Sequence, residues 1–380
     1  MKPRIPIAMQ QALSERESSG MLRELRAVDG GVDLCSNDYL GVSRALSRDV
    51  SPVFSGSLGA TGSRLVSGNT ATHEDFERFV AEVHEAEAAL VFGSGYEANL
   101  GLLSSVASRH DTILFDELSH ASMRDGIRLS YARSYSFRHN DLDDLREKIR
   151  SARGVCFIAV ESVYSMDGDT APLAELCSLA DEFGAHIIVD EAHATGVFGP
   201  RGEGLVQSLG LSSRVFARIH TFGKALGYRG ACVVGPAELR RFMINFARPF
   251  IYSTAPDHLS IHVMRRSYEL ALAADAERSA LWGLVDEFRS VSAEFPGLRF
   301  LEARSPIQGV VIPGNAEVVA AERVLTDAGF AARAIRSPTV PAGRERIRLC
   351  LHTFNTADEV RSALGVLSRY TNSRGHHERG

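Results

Sequence analysis

Lys224 stands in the run Thr221-Phe222-Gly223-Lys224-Ala225-Leu226-Gly227, directly after the apolar stretch 215–220. That stretch reads as a buried strand, and the flanking glycines leave room for another group to approach the backbone. A lysine partly desolvated there has a lowered pKa and a free amine, the form that condenses with an aldehyde to a Schiff base. Val189-Asp190-Glu191-Ala192-His193 ends a second apolar stretch with a carboxylate and adds an imidazole three residues later. A carboxylate so placed can hold a pyridine nitrogen protonated, and the ring then draws electrons from a carbanion attached to it. It could equally cap a helix or bind a metal. His120, in Asp116-Glu117-Leu118-Ser119-His120-Ala121-Ser122, follows a third strand and can stack on a flat ring or sit as a satisfied core histidine. Taken singly, each residue also has an ordinary structural explanation, and a solvated lysine after a strand is the commonest of them.

Phe92-Gly93-Ser94-Gly95-Tyr96-Glu97-Ala98 lies between a strand and a helix and matches G-x-G-x-x-A. Asp116-Glu117 follows about 20 residues on, where a dinucleotide ribose would be held, so one reading is an NAD(P)-dependent oxidoreductase. The underlying physics is less selective: free N–H groups at a helix N-terminus bind any phosphate, that of pyridoxal phosphate included. The dinucleotide reading also leaves Asp190 and Lys224 idle. The loop at 59–68, with Ser63 and Arg64 among glycines, suits a binding loop and a linker alike. Arg336, in Ala334-Ile335-Arg336-Ser337-Pro338, could close a fork onto a substrate carboxylate. His258 and His262 have chelating spacing but lack the glutamate that zinc proteases place after the first histidine.

These residues need a scaffold, and the chain alternates strand and helix signals. Strands are expected at 88–92, 112–115, 134–137, 155–161, 186–190 and 215–220, with helices at 96–107, 141–150 and 173–183 between them. Thr72 followed by Asp75 predicts a capped helix start at 72. Such alternation indicates an α/β fold with a mainly parallel sheet covered on both faces, whose ligand sits at the carboxyl ends of the strands. A polar amphipathic helix is expected at 7–27, with Leu13, Leu22 and Leu25 on its apolar face, and a long helical region at 256–288. The expected divisions are an N-terminal arm at 1–45, a large domain at 46–290, a smaller α+β domain at 291–370 and a frayed tail at 371–380.

Composition excludes several classes. The 380 residues are 44% hydrophobic, as in ordinary globular proteins, and carry a net charge of -5, which offers nucleic acid no broad basic surface. The five cysteines form no C-x-x-C pair and read as reduced and mostly buried. No apolar run approaches the roughly 20 residues that span a bilayer, and residues 1–6 lack a signal-peptide core, so the cytoplasm is the expected compartment.

In one order along the chain, Asn37-Asp38-Tyr39-Leu40-Gly41, Gly62-Ser63-Arg64-Leu65-Val66-Ser67-Gly68, Ser119-His120-Ala121-Ser122, Glu161-Ser162-Val163-Tyr164-Ser165-Met166-Asp167-Gly168-Asp169, Val189-Asp190-Glu191-Ala192-His193 and Thr221-Phe222-Gly223-Lys224 resemble the motifs of the α-oxoamine synthases. These are pyridoxal 5'-phosphate enzymes of the aspartate aminotransferase-like fold, which join an amino acid to an acyl thioester with loss of carbon dioxide. The resemblance implies an internal aldimine on Lys224, Asp190 at the pyridine nitrogen, His193 at the ring hydroxyl and His120 over the ring. It implies that Ser94, Gly95, Tyr96 and Thr221 hold the phosphate, with Ser253 or Thr254 reaching in from the partner of a homodimer. Glu161 and Ser165 would line the site, and Arg23, Asn37, Ser63 and Arg336 would face the substrates. The likeness is greatest to the biotin-pathway branch, which condenses L-alanine with pimeloyl-CoA or a pimeloyl-carrier protein. Glycine-using branches, of the glycine C-acetyltransferase or 5-aminolevulinate synthase type, are the alternative. Tyr228-Arg229 departs from the small residues that some relatives carry there.

Overall fold

A computed structural model describes residues 5–23, 25, 30–49 and 58–377. The chain divides into two compact units, the larger formed by Asn37–Ser165 and Asp169–Leu281, the smaller by Met1–Ser36, Met166–Gly168 and Trp282–Gly380.

The larger unit is built on seven strands: β1 (Ala88–Phe92), β2 (Thr112–Asp116), β3 (Arg133–Phe137), β4 (Cys156–Glu161), β5 (His186–Asp190), β6 (Ala217–Thr221) and β7 (Ala231–Gly235). Their order in the sheet is β1-β7-β6-β5-β4-β2-β3, and only β7 runs against the rest. Central strands of such a sheet are buried on both faces. In β5, Ile188 packs in one apolar layer with Leu90, Leu102 and Ile219, while Ile187 and Val189 pack in the other with Leu145, Leu173 and Leu176. The helices of this unit include α1 (Ala71–Val83), α2 (Gly95–Ser105), α3 (Ala121–Leu129), α4 (Leu142–Ser151) and α5 (Leu173–Phe183). Asp141 caps α4 through its side chain, and Gly184 ends α5 at φ 65°, a left-handed conformation suited to glycine.

The smaller unit holds a four-stranded antiparallel sheet in the order Arg333–Ile335, Arg346–Cys350, Ile307–Val311, Arg299–Phe300. Val32–Asp33 of the arm pairs in parallel with Phe330–Ala331 in the same unit.

Several expectations are corrected. The helix expected at 7–27 stops at Ser18 and buries no residue; Gly20, at φ 66°, turns the chain, and Leu25 is fully exposed. α1 starts at Ala71 with Thr70, two residues before the predicted start, as its N-cap: the N–H groups of His73 and Glu74 donate to Thr70 O at 3.0 and 3.3 Å. The region 256–288 is two helices, His258–Leu272 and Asp275–Ser292. The last helix runs from Ala357 to His377, so residues 371–377 are helical where a frayed tail was expected at 371–380, and 378–380 lie outside the described residues. The arm belongs with the smaller unit up to Ser36, and that unit resumes at Trp282, ahead of the expected boundary at 290. Among the described residues no helix is long and apolar enough to cross a membrane.

Candidate active site

Because six strands point the same way, their last residues share one edge of the sheet, and four of those residues are chemically distinctive. Asp116 ends β2, Glu161 ends β4, Asp190 ends β5 and Thr221 ends β6, all buried. Glu161 and Asp190 are direct partners in the β4–β5 register. Removal from water and the charge of Asp190 push Glu161 up to about 8, with Lys224 and the His120 N–H acting the other way.

Asp190 is held at both oxygens: the N–H of Ala192 donates to Oδ1 at 2.8 Å and Asn99 Nδ2 donates to Oδ2 at 2.6 Å. Asn99, one turn into α2, also donates to Ser122 Oγ at 3.1 Å, and Ser122 Oγ pairs with His120 Nδ1 at 2.7 Å. The His120 backbone N–H donates to Glu161 Oε1 at 2.6 Å. A continuous polar chain thus joins Asp190, Asn99, Ser122, His120 and Glu161. Desolvation holds the His120 imidazole below its ordinary pKa; the Asp190 charge opposes this and the Lys224 charge adds to it.

Lys224 lies in the turn between β6 and β7, half-buried. The turn is fixed by backbone bonds from Gly227 to Lys224, Tyr228 to Phe222 and Phe222 to Gly230, at 2.7, 2.8 and 2.9 Å. The close approach expected at the flanking glycines occurs at Gly227, where a Cβ would stand 2.2 Å from Ser43 N; Gly223 is exposed and open. The lysine's charge lowers the pKa of both Glu161 and His120.

Ser94 caps α2, its Oγ accepting from Glu97 N at 3.2 Å. A Cβ on Gly95 would sit 2.4 Å from Thr221 Cγ2, so only glycine lets this helix N-terminus meet the end of β6. The buried Thr221 Oγ1 finds no partner within the protein. Together with the outward N–H groups of the helix, it forms a donor set matched to a phosphate. Tyr96 is half-exposed and its hydroxyl donates to Asp125. His193 Nδ1 lies 2.8 Å from the hydroxyl of the fully buried Tyr39, which donates to Asn37 Oδ1 at 3.1 Å.

The remaining expected residues sort differently. Ser165 is half-buried in the loop after β4. Ser63, Ser253 and Thr254 share a second locality, where Ala255 N donates to Gly62 O at 3.0 Å beside the exposed Leu65, Val66 and Tyr252. Arg23, which is exposed, and Arg336, which donates to Gly20 O at 2.6 Å, belong to the smaller unit. Asp116 does not serve a ribose: its oxygens are taken by Leu118, His139 and Asn140. Tyr39, Asn99 and Ser122 were not singled out from the sequence. A signal existed for Asn99, a polar residue on the helix face that also carries the fully buried Ala98, Leu102 and Leu103.

A family model described as aminotransferase class I and II matches residues 29–365. The chain belongs to this family. Among curated relatives, the 8-amino-7-oxononanoate synthase of Emericella nidulans is 40% identical, the alignment covering 96% of this chain and 95% of that protein. Among solved structures, the Sphingomonas wittichii serine palmitoyltransferase aligns with a TM-score of 0.89 at 27% identity, over 98% of this chain and 99% of that one. The S. paucimobilis serine palmitoyltransferase, solved with a bound PLP-myriocin aldimine, aligns with a TM-score of 0.87 at 26% identity, over 97% of this chain and 98% of that one. The aspartate aminotransferase-like architecture expected from the motifs is therefore the one this family and these neighbours share.

Proposed function

We propose that the chain is an 8-amino-7-oxononanoate synthase, a pyridoxal 5'-phosphate-dependent acyltransferase that joins L-alanine to a pimeloyl thioester with loss of carbon dioxide, in biotin biosynthesis. The observation that carries this is the polar chain Asp190–Asn99–Ser122–His120–Glu161 at the strand ends, with Lys224 in the turn after β6, in a protein whose relatives of that name are similar over nearly its whole length. Bound pyridoxal phosphate supplies an electron sink for charge developing at the α-carbon of the amino acid. Lys224 would hold the cofactor's aldehyde carbon, and its Nζ would take up or return a proton. Asp190 keeps its charge aimed at one point because both oxygens are anchored, and would hold the proton at the pyridine nitrogen. His193 would reach the ring hydroxyl, braced by Tyr39, while His120 covers one face. Ser94, Gly95, Tyr96 and Thr221 would take the phosphate, and Glu161 and Ser165 would line the site. Asn37 and Ser63 are assigned to the substrates, as are Arg23 and Arg336, for which the motif resemblance alone speaks.

The enzyme acts as a homodimer in this reading. Support comes from the exposed Leu65, Val66 and Tyr252 gathered around Ser63, Ser253 and Thr254, the residues expected near a partner's site. None of the five cysteines is in a disulfide, as a reducing cytoplasm would keep them. The acyl carrier is coenzyme A or a carrier protein.

The test is steady-state kinetics with alanine and glycine, each against pimeloyl-CoA and acetyl-CoA. One methyl group in a pocket is worth about 1 to 3 kcal/mol, so alanine is expected to lead glycine by roughly 10- to 200-fold with pimeloyl-CoA. If glycine with acetyl-CoA gives the highest kcat/KM, the substrate assignment fails and a glycine-using relative is the better description.

A further inference from the structure

Beside this site lies a constellation that the proposed reaction leaves unused. Asp116, wholly buried, accepts from Leu118 N at 2.8 Å and from Asn140 N at 3.0 Å, and its two oxygens lie 3.0 and 3.1 Å from His139 Nδ1. On the opposite side of the ring, His139 Nε2 reaches Asp169 Oδ2 at 2.8 Å, an oxygen that also accepts from Asn140 Nδ2 at 2.9 Å. A neutral imidazole has one N–H and can donate to only one carboxylate, so hydrogen bonding to both calls for the imidazolium. The other groups facing His139 are Tyr164, edge-on to its ring at 4.5 Å, Glu117, whose Oε1 accepts from the His139 N–H at 3.2 Å, and Asn140, whose Nδ2 lies 3.3 Å from His139 Nε2 and donates to the nearer Asp169 Oδ2.

Asp116 ends β2, His139 lies two residues after β3 and Asp169 lies in the loop after β4, so their bonds tie the three loops together. The loop after β2 is the one that presents His120: Ser119 N donates to Asp116 O at 3.0 Å, and the next N–H is the one that meets Glu161. We propose that His139, as a charged cross-brace between Asp116 and Asp169, is a positioning residue that sets where His120 stands. The inference rests on the proposed function, in which His120 covers the cofactor ring.

Burial alone would lower the pKa of His139, but the bonds to Asp116 and Asp169 outweigh it and push the imidazole up to about 10. A raised folded-state pKa gives stability that is fully present below the unfolded value of about 6.5 and is lost as pH rises through about 10. Three measurements on His139→Gln and Asp169→Asn test the proposal. Thermal unfolding of the cofactor-free protein should show a gap between wild type and His139→Gln that is widest below about pH 6.5 and closes as pH rises through about 10. The imidazole resonances of His120 in the cofactor-free protein should shift in both variants, which a brace acting on stability alone would not cause. With cofactor and substrates, kcat should fall on the order of tenfold while KM for alanine stays within about twofold, because the brace touches no substrate. A gap independent of pH, or unmoved His120 resonances with wild-type kcat, overturns the proposal; should His139→Gln not fold, Asp169→Asn decides by the same resonances and kcat. If the wild type makes no product, the functional reading fails, and the pH gap and the His120 resonances still decide the brace.

Discussion

Asp190 accepts hydrogen bonds at both oxygens from groups that cannot move independently: the backbone two residues on, and Asn99 on a helix packed in the apolar core. A charge fixed in this way needs no reorganisation when a cation forms opposite it, which is the usual source of large electrostatic effects in active sites. Asp190→Asn is therefore expected to lower kcat on the order of a thousandfold while cofactor still binds, since shape is kept and only the charge is lost. Separate measurement of cofactor affinity and turnover checks this; parental turnover in the variant would assign the electron-sink role to another residue. At this scale the sequence exposed the reactive types, because Lys224 and Asp190 follow apolar runs that read as strands. It concealed their supports. Asn99 and Tyr39 meet partners 91 and 154 positions away, and no local pattern records such a contact.

The β6–β7 hairpin is the element on which Lys224 depends, and glycine sets its geometry together with the backbone bonds across the turn. Gly227 has φ +68°, and a Cβ there would lie 2.2 Å from Ser43 N and 2.8 Å from Ser43 Cα, both backbone atoms that cannot swing away. Gly227→Ala should destabilise the protein by about 1 to 3 kcal/mol and displace the turn that carries Lys224. The measurement is thermal unfolding together with kcat; an unchanged midpoint would show that the hairpin relaxes freely. Most strands of the larger unit were legible because their apolar runs are bounded by turn residues. β7 was not, since Ala231-Cys232-Val233-Val234 follows the lysine turn without the helix that separates the other strands. The arm helix failed in the opposite direction: leucines at helical spacing suggested a buried face, yet the helix buries none of its residues and ends at Ser18.

For the molecule as a whole, alternating strand and helix signals were enough to indicate a parallel sheet with its site at the carboxyl ends of the strands. They could not supply the order β1-β7-β6-β5-β4-β2-β3, because order depends on which crossovers the helices make and not on the content of any strand. That order is what sets Glu161 beside Asp190 and β6 next to the strand that carries Asp190, so the site is a property of topology as much as of residue type. If this edge holds pyridoxal phosphate on Lys224, borohydride reduction of the purified protein followed by peptide mapping finds the reduced cofactor attached to the peptide containing Lys224 and no attachment in Lys224→Ala. A label on another lysine, or none on protein that is active, would contradict it.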